Sequence, residues 1–135
     1  MIEVERFVTQ HKLTKYQFNS YFPPATIQVQ RGAIAAQELK VFDEYFDCVI
    51  CAMWENNKNI SDINVLQEIL EEKGFDTKAI MEIITSQECK DKLIANTDNA
   101  VSRGAFGAPT FFFDEQIFFG KDHLYQLEEY INSRK

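Results

Sequence analysis

The sequence predicts an α/β protein dominated by helix, and three observations carry that reading. From Phe42 to Val101 apolar residues recur every three or four positions, the spacing of amphipathic helices. At Thr110 the pattern changes to two short apolar runs, "TFFF" and "QIFF", which reads as a strand pair. The segments then fall in the order helix, strand, several helices, hairpin, helix, with no repeat, linker or low-complexity stretch. A chain of 135 residues is about one domain. By surface scaling it buries roughly two-thirds of its unfolded surface, enough for a real core.

Each element has a local cause. Val4, Phe7 and Val8 lie at i, i+3 and i+4 and predict a short helix through about His11. "TKYQF" alternates apolar and polar residues and predicts a strand over Lys15–Phe18, which the proline pair of "YFPPAT" stops. Thr26 is placed to cap a helix running through Ile27 and Ile34 toward Leu39, with Gly32 as its weak point. Phe42, Tyr45, Phe46, Val49 and Met53 mark the buried face of a longer helix that ends in "ENNKN". In "ISDINVLQEILEEKG" Ser61 is the expected cap, Ile60 staples onto Val65, and Gly74 supplies a left-handed C-terminus. One helix follows Asp76 to about Thr85; another follows Ser86, carries Leu93, Ala100 and Val101, and stops at Gly104. Asp114 and Glu115 form a two-residue hairpin connection, and Leu124, Leu127 and Ile131 mark a last helix.

Composition excludes several functions. Hydrophobic residues make up 45% and charged residues 26%, and no run approaches the ~20 apolar residues of a membrane span. A net charge of −7 disfavours a general nucleic-acid or anionic-membrane surface, since phosphate binding needs clustered Lys and Arg. "MIEVER" lacks the basic-then-apolar order of a signal peptide, so a cytoplasmic location with reduced thiols is expected.

Four stretches invite a chemical reading. Cys48 and Cys51 have the C-x-x-C spacing of redox enzymes, but such pairs open a helix whereas "CVIC" lies inside one, so core or half-buried thiols are expected, as for Cys89. Three cysteines and two distant histidines, His11 and His123, show no zinc spacing, and no metal is expected. "RGAFGA" follows a helix and leads into a strand, the reverse of a phosphate-cradling loop. Ser20 follows the expected strand, where a nucleophile could sit, yet no base accompanies it and a turn serine is the better reading.

The stretch "GAFGAPTFFFDEQIFFGKDHL" is the stronger lead, holding six of the twelve phenylalanines around one proline. Pro109 confines Ala108 to an extended conformation and permits a cis bond, which would turn the N–H and C=O of Ala108 outward to pair with an extended peptide. The helix start at "KDHL" offers N–H groups for a carboxylate, Lys121 adds positive charge, and Asp122 is suited to an amine. The parts suit a small zwitterionic peptide. The competing structural reading is a hairpin entry turn with an N-capping Asp.

That block, with "FPPATIQVQRGA" and "AMWENNKNISD", resembles the 2-hydroxychromene-2-carboxylate isomerases, grouped with kappa-class glutathione transferases in the DsbA-like thioredoxin superfamily. The resemblance implies a thioredoxin-like (DsbA-like) fold carrying a large helical insertion: residues 1–20 and 104–135 form the thioredoxin-like part, residues 25–103 the insertion and a connecting helix. It implies glutathione as cofactor, Pro109 as a cis-proline, Ala108 pairing with the cysteinyl backbone, and Asp122 at the γ-glutamyl end, with Lys121 beside it. Asn19, Thr26 and Trp54 fall in segments bordering the family's substrate cleft, although "FPPAT" stands where an Asn-Thr pair is usual.

The resemblance also implies an N-terminally truncated arrangement. Family members open with a strand and helix bearing the serine or cysteine that handles the reactive sulfur, and this sequence has no counterpart of it, which leaves the catalytic residue unknown. The implied reaction, through glutathione as nucleophile, isomerises a conjugated, ring-opened enone. Two other functions remain open at this point: a non-catalytic binding or assembly module that completes a sheet with another chain, and a DsbA-like thiol-disulfide oxidoreductase. Expected partners are a small-molecule substrate and a second copy or another chain that supplies the missing strand. No nucleic acid or membrane is expected.

Overall fold

The computed structural model describes residues 2–134. In chain order they form α1 (Ile2–Gln10), α2 (Ile27–Glu38), α3 (Phe42–Trp54), α4 (Ile63–Glu72), α5 (Thr77–Thr85), α6 (Gln87–Ser102), β1 (Thr110–Phe113), β2 (Gln116–Phe119), a 3-10 turn (Lys121–His123) and α7 (Leu124–Asn132). The chain divides into two compact units, Met1–Leu93 and Ile94–Lys135. The segment up to residue 20 lies in the first of these units and the hairpin region from residue 104 in the second. None of the described helices is long and apolar enough to cross a membrane.

The first unit is built on the apolar faces of α2 to α5. Ala35, Ala36, Tyr45, Leu66, Leu70, Ile80 and Ile84 are its buried centre. Gly32, a poor helix former, lies where α2 meets the Tyr45 ring: a Cβ there would stand 2.1 Å from the Tyr45 hydroxyl oxygen. That hydroxyl donates to Val29 O at 2.9 Å, so the missing side chain lets a buried tyrosine reach the backbone of α2. Asp76 caps α5 by accepting from the Ala79 N–H, and Gly74 takes the left-handed conformation that follows α4.

Two expectations are corrected. Lys15–Phe18 is not a strand; the one sheet among the described residues is β1 with β2, and this segment has no neighbouring strand to pair with. Its backbone is held instead by Gln17 N–H donating to Trp54 O at 2.8 Å, with a local turn bond from Tyr16 N–H to Leu13 O at 3.1 Å. The cap of α4 is Asp62, whose carboxylate accepts from Asn64 N–H at 2.9 Å. Ser61, one residue earlier, turns its hydroxyl to the Ala25 N–H and thereby ties the proline segment to the start of α4. Both errors have one source: alternation and capping residues describe local options, and a partner elsewhere in the chain chose between them.

The second unit holds the hairpin. Thr110 pairs with Phe119, Phe111 with Phe118, Phe112 with Ile117 and Phe113 with Gln116, leaving Asp114 and Glu115 as the turn. Asp114 takes a positive φ of 50°, as primed two-residue turns require. Pleating sends Phe113 and Phe118 to one face, where both rings meet Tyr130 of α7. Phe112 and Phe119 take the other face, under the Arg103 guanidinium and against the Phe106 ring respectively.

Candidate functional site

The turn that leads into β1 is assembled by its neighbours. Gly104 (φ 96°) ends α6, with Gly104 N–H donating to Val101 O and Ala105 N–H to Ala100 O. Gly107 lies so close to the Phe119 ring that a Cβ would stand 2.9 Å from it. Thr110 Oγ1 donates to Gly107 O at 2.6 Å and closes the turn, within which Ala108–Pro109 is a cis peptide bond.

Gly120 N–H donates to Pro109 O at 2.9 Å, which extends the hairpin ladder by one pair. Antiparallel pairs alternate between bonded and non-bonded. Pro109, Phe111 and Phe113 therefore address β2, and Ala108, Thr110 and Phe112 present their backbone groups to the open edge. Ala108 is exposed, and its N–H and C=O make no hydrogen bond among the described residues. The same Gly120 carries the chain into Lys121 and Asp122, whose side chains pair at 2.5 Å; the Asp122 side chain is 75% exposed. His123 Nδ1 lies 2.6 Å from Phe119 O and fixes the corner between β2 and α7. The Pro109–Gly120 bond thus sets Ala108 and Pro109 beside the segment that carries Lys121 and Asp122. They offer an unpaired peptide edge beside one cation and one anion, the donor set a small zwitterionic peptide would use.

Asn19, Thr26 and Trp54 belong to the other unit and differ in character. Asn19 is the single buried polar residue among the described residues, at 0% exposure. Its Nδ2 donates to Met53 O and Lys58 O, each at 2.9 Å, and its Oδ1 accepts from Tyr21 N–H at 2.8 Å. It clamps the segment before the prolines onto the end of α3, with both ends of its amide engaged by the protein. Thr26 precedes α2 as expected but makes no side-chain cap; its Oγ1 accepts from Gln30 Nε2 instead. Trp54 stacks on Tyr16, ring centres 5.8 Å apart, and approaches Phe18 and Phe22. With Lys12, Leu13 and Lys15 it lines a groove of about 370 Å³. The sequence reading missed this aromatic cluster and the second cis bond, Phe22–Pro23. Its only local signal is the density of aromatics between Tyr16 and Phe22.

Other candidates take their plain roles. Ser20 donates from N–H (2.8 Å) and Oγ (3.1 Å) to Asn57 Oδ1, holding two turns together. Cys48 and Cys51 lie inside α3, and all three thiols are free. Burial pushes the Cys48 and Cys89 thiols up, away from a reactive thiolate.

Residues 5–132 match the DSBA-like thioredoxin domain. The chain belongs to that family. Among relatives of this DSBA-like chain, the 2-hydroxychromene-2-carboxylate isomerase of Sphingobium xenophagum is 35% identical over 133 residues, covering 97% of this chain and 66% of that protein. The enzyme of the same name from Pseudomonas sp. (strain C18) is 31% identical over 85 residues, covering 62% of this chain and 40% of the relative. A solved structure of a 2-hydroxychromene-2-carboxylate isomerase superposes with a TM-score of 0.75 at 20% identity, covering 98% of this chain and 64% of that one. The chain therefore spans less than two-thirds of the length of these relatives, and the shared DsbA-like fold includes the helix-rich region read from the sequence.

Proposed function

We propose that this chain serves a glutathione-dependent isomerisation of the 2-hydroxychromene-2-carboxylate type, with the Ala108–Pro109 turn as its glutathione-binding element. The observation that carries the reading is the outward, unpaired backbone of Ala108, joined through the Pro109–Gly120 hydrogen bond to the helix start bearing Lys121 and Asp122. The names of its relatives support the reaction class. Ala108 would pair with the peptide backbone of glutathione, Asp122 would hold its amine, and Lys121 would balance a carboxylate. When bound, glutathione supplies a thiol nucleophile for reversible addition to a conjugated enone. Trp54, beside Lys12 and Lys15 in an apolar groove, suits an aromatic acid. A cytoplasmic location would supply reduced glutathione.

Titration with reduced glutathione, followed by amide NMR, should shift residues 107–110 and 121–123, and Asp122→Ala should weaken binding. Shifts confined elsewhere would overturn the assignment of the site. A glutathione-dependent absorbance change with 2-hydroxychromene-2-carboxylate would support the reaction; turnover that is unaffected by leaving out glutathione would refute the cofactor.

A second reading rests on the open edge of β1. Thr110 and Phe112 turn their N–H and C=O groups away from β2, and no other strand among the described residues pairs with them. A second copy pairing there would make the chain an assembly module. Light scattering at micromolar concentration should then report a dimer, and a monomer with freely exchanging Thr110 and Phe112 amides would exclude it.

A further inference from the structure

Cys48 and Cys51 play no part in the proposed chemistry, yet they are placed together. One helical turn separates them on α3, which sets their Cβ atoms about 5–6 Å apart on one face. Both line the same surface cavity, of about 230 Å³, together with Glu44, Asp47 and Lys73. Neither is bonded to another cysteine. Cys51 is half-buried, so the cavity opens to solvent through the less buried of the two thiols.

We infer that Cys48 and Cys51 form a two-thiolate site for a soft, two-coordinate d10 cation of the copper(I) or silver(I) kind. Thiolates select soft ions. A linear sulfur–metal–sulfur unit spans roughly 4.6 Å, twice a metal–sulfur bond of about 2.3 Å, which the one-turn spacing accommodates by side-chain rotation. Among the described residues no group of three or more His, Cys, Asp or Glu side chains is placed to hold a metal, so a tetrahedral zinc site is not available. The pair suits an ion that needs no third ligand. Binding exchanges protons for metal: two thiols and one M⁺ give a bis-thiolate complex of charge −1 and release two H⁺. The Lys73 ammonium in the same cavity offsets that charge, against Glu44 and Asp47 on the same wall and neighbouring Glu72.

The test uses the full reduced chain and silver(I) nitrate in chloride-free buffer at pH 7, followed by calorimetry, native mass spectrometry and a proton-release indicator. One silver ion per chain with two protons released is expected, unchanged in Cys89→Ser. Cys48→Ser and Cys51→Ser should each weaken the first equivalent by roughly 100-fold or more and halve the proton release, since each removes one arm of a chelate. Cys51→Ser at the half-buried position keeps the test valid if Cys48→Ser does not fold. Affinity within about 3-fold of the parent in a folded single variant would overturn the site. So would two independent equivalents with one proton each, or a silver-bridged dimer.

Discussion

Replacing Asn19 tests whether this residue clamps the fold or serves a ligand. Its three hydrogen bonds, to Met53 O, Lys58 O and Tyr21 N–H, are made at zero exposure. Asn19→Ala deletes all three and leaves Met53 O and Tyr21 N–H without that partner, while Lys58 O keeps the Ile60 N–H; at about 1 kcal/mol per lost bond the cost is about 3 kcal/mol. That is a large share of the ~5–15 kcal/mol of an ordinary domain. Asn19→Asp separates the hydrogen bonds from mere volume. Its carboxylate still accepts from Tyr21 but faces the carbonyl oxygens of Met53 and Lys58, so burial and repulsion raise its pKa in the folded state. A raised folded pKa means the native state holds a proton that the unfolded chain releases above about pH 4. The penalty should therefore grow by up to about 1.4 kcal/mol per pH unit above that point, until the folded pKa is passed. Urea unfolding followed by the single tryptophan, Trp54, measures both variants. A loss below about 0.5 kcal/mol in Asn19→Ala, or a pH-independent loss in Asn19→Asp, would refute the clamp.

Three further outcomes follow from packing and burial. Gly32→Ala gains about 1 kcal/mol of helix propensity but drives a Cβ to 2.1 Å from the buried Tyr45 hydroxyl, so overpacking of roughly 1–3 kcal/mol and the lost bond to Val29 O should leave it net destabilised in urea unfolding. Gly107→Ala places a Cβ 2.9 Å from the Phe119 ring; the amides of Ala108 and Thr110 should move and glutathione binding weaken, with Leu66 and Ile80 resonances unchanged. The buried Cys48 and Cys89 thiols have raised folded pKa values, so their contribution is complete below the unfolded thiol value and is lost as pH rises above about 8.5 toward the folded values. Replacing both by Ala should flatten that alkaline fall in stability, as measured by unfolding at pH 7 and pH 10.

The sequence by itself determined the helices. Their apolar periodicity, the Asp76 cap, and the left-handed glycines at 74 and 104 are local features that act within one or two turns, and local physics is what a sequence displays. The two-residue hairpin was legible for the same reason, as was the position of "CVIC" inside a helix. Ala108 and Pro109 could be read beside the segment that carries Lys121 and Asp122 because about a dozen residues and one hairpin separate them. Tertiary structure decided the rest. Lys15–Phe18 has the pattern of a strand, but a strand exists only where another backbone offers its hydrogen bonds, and the one found was the single carbonyl of Trp54. Asn19 carries no sign in its neighbours that it will be sealed against Met53 and Lys58, 34 and 39 residues away. Gly32 reads as a flaw in a helix until Tyr45 arrives, because close approach is a property of two segments and propensity of one.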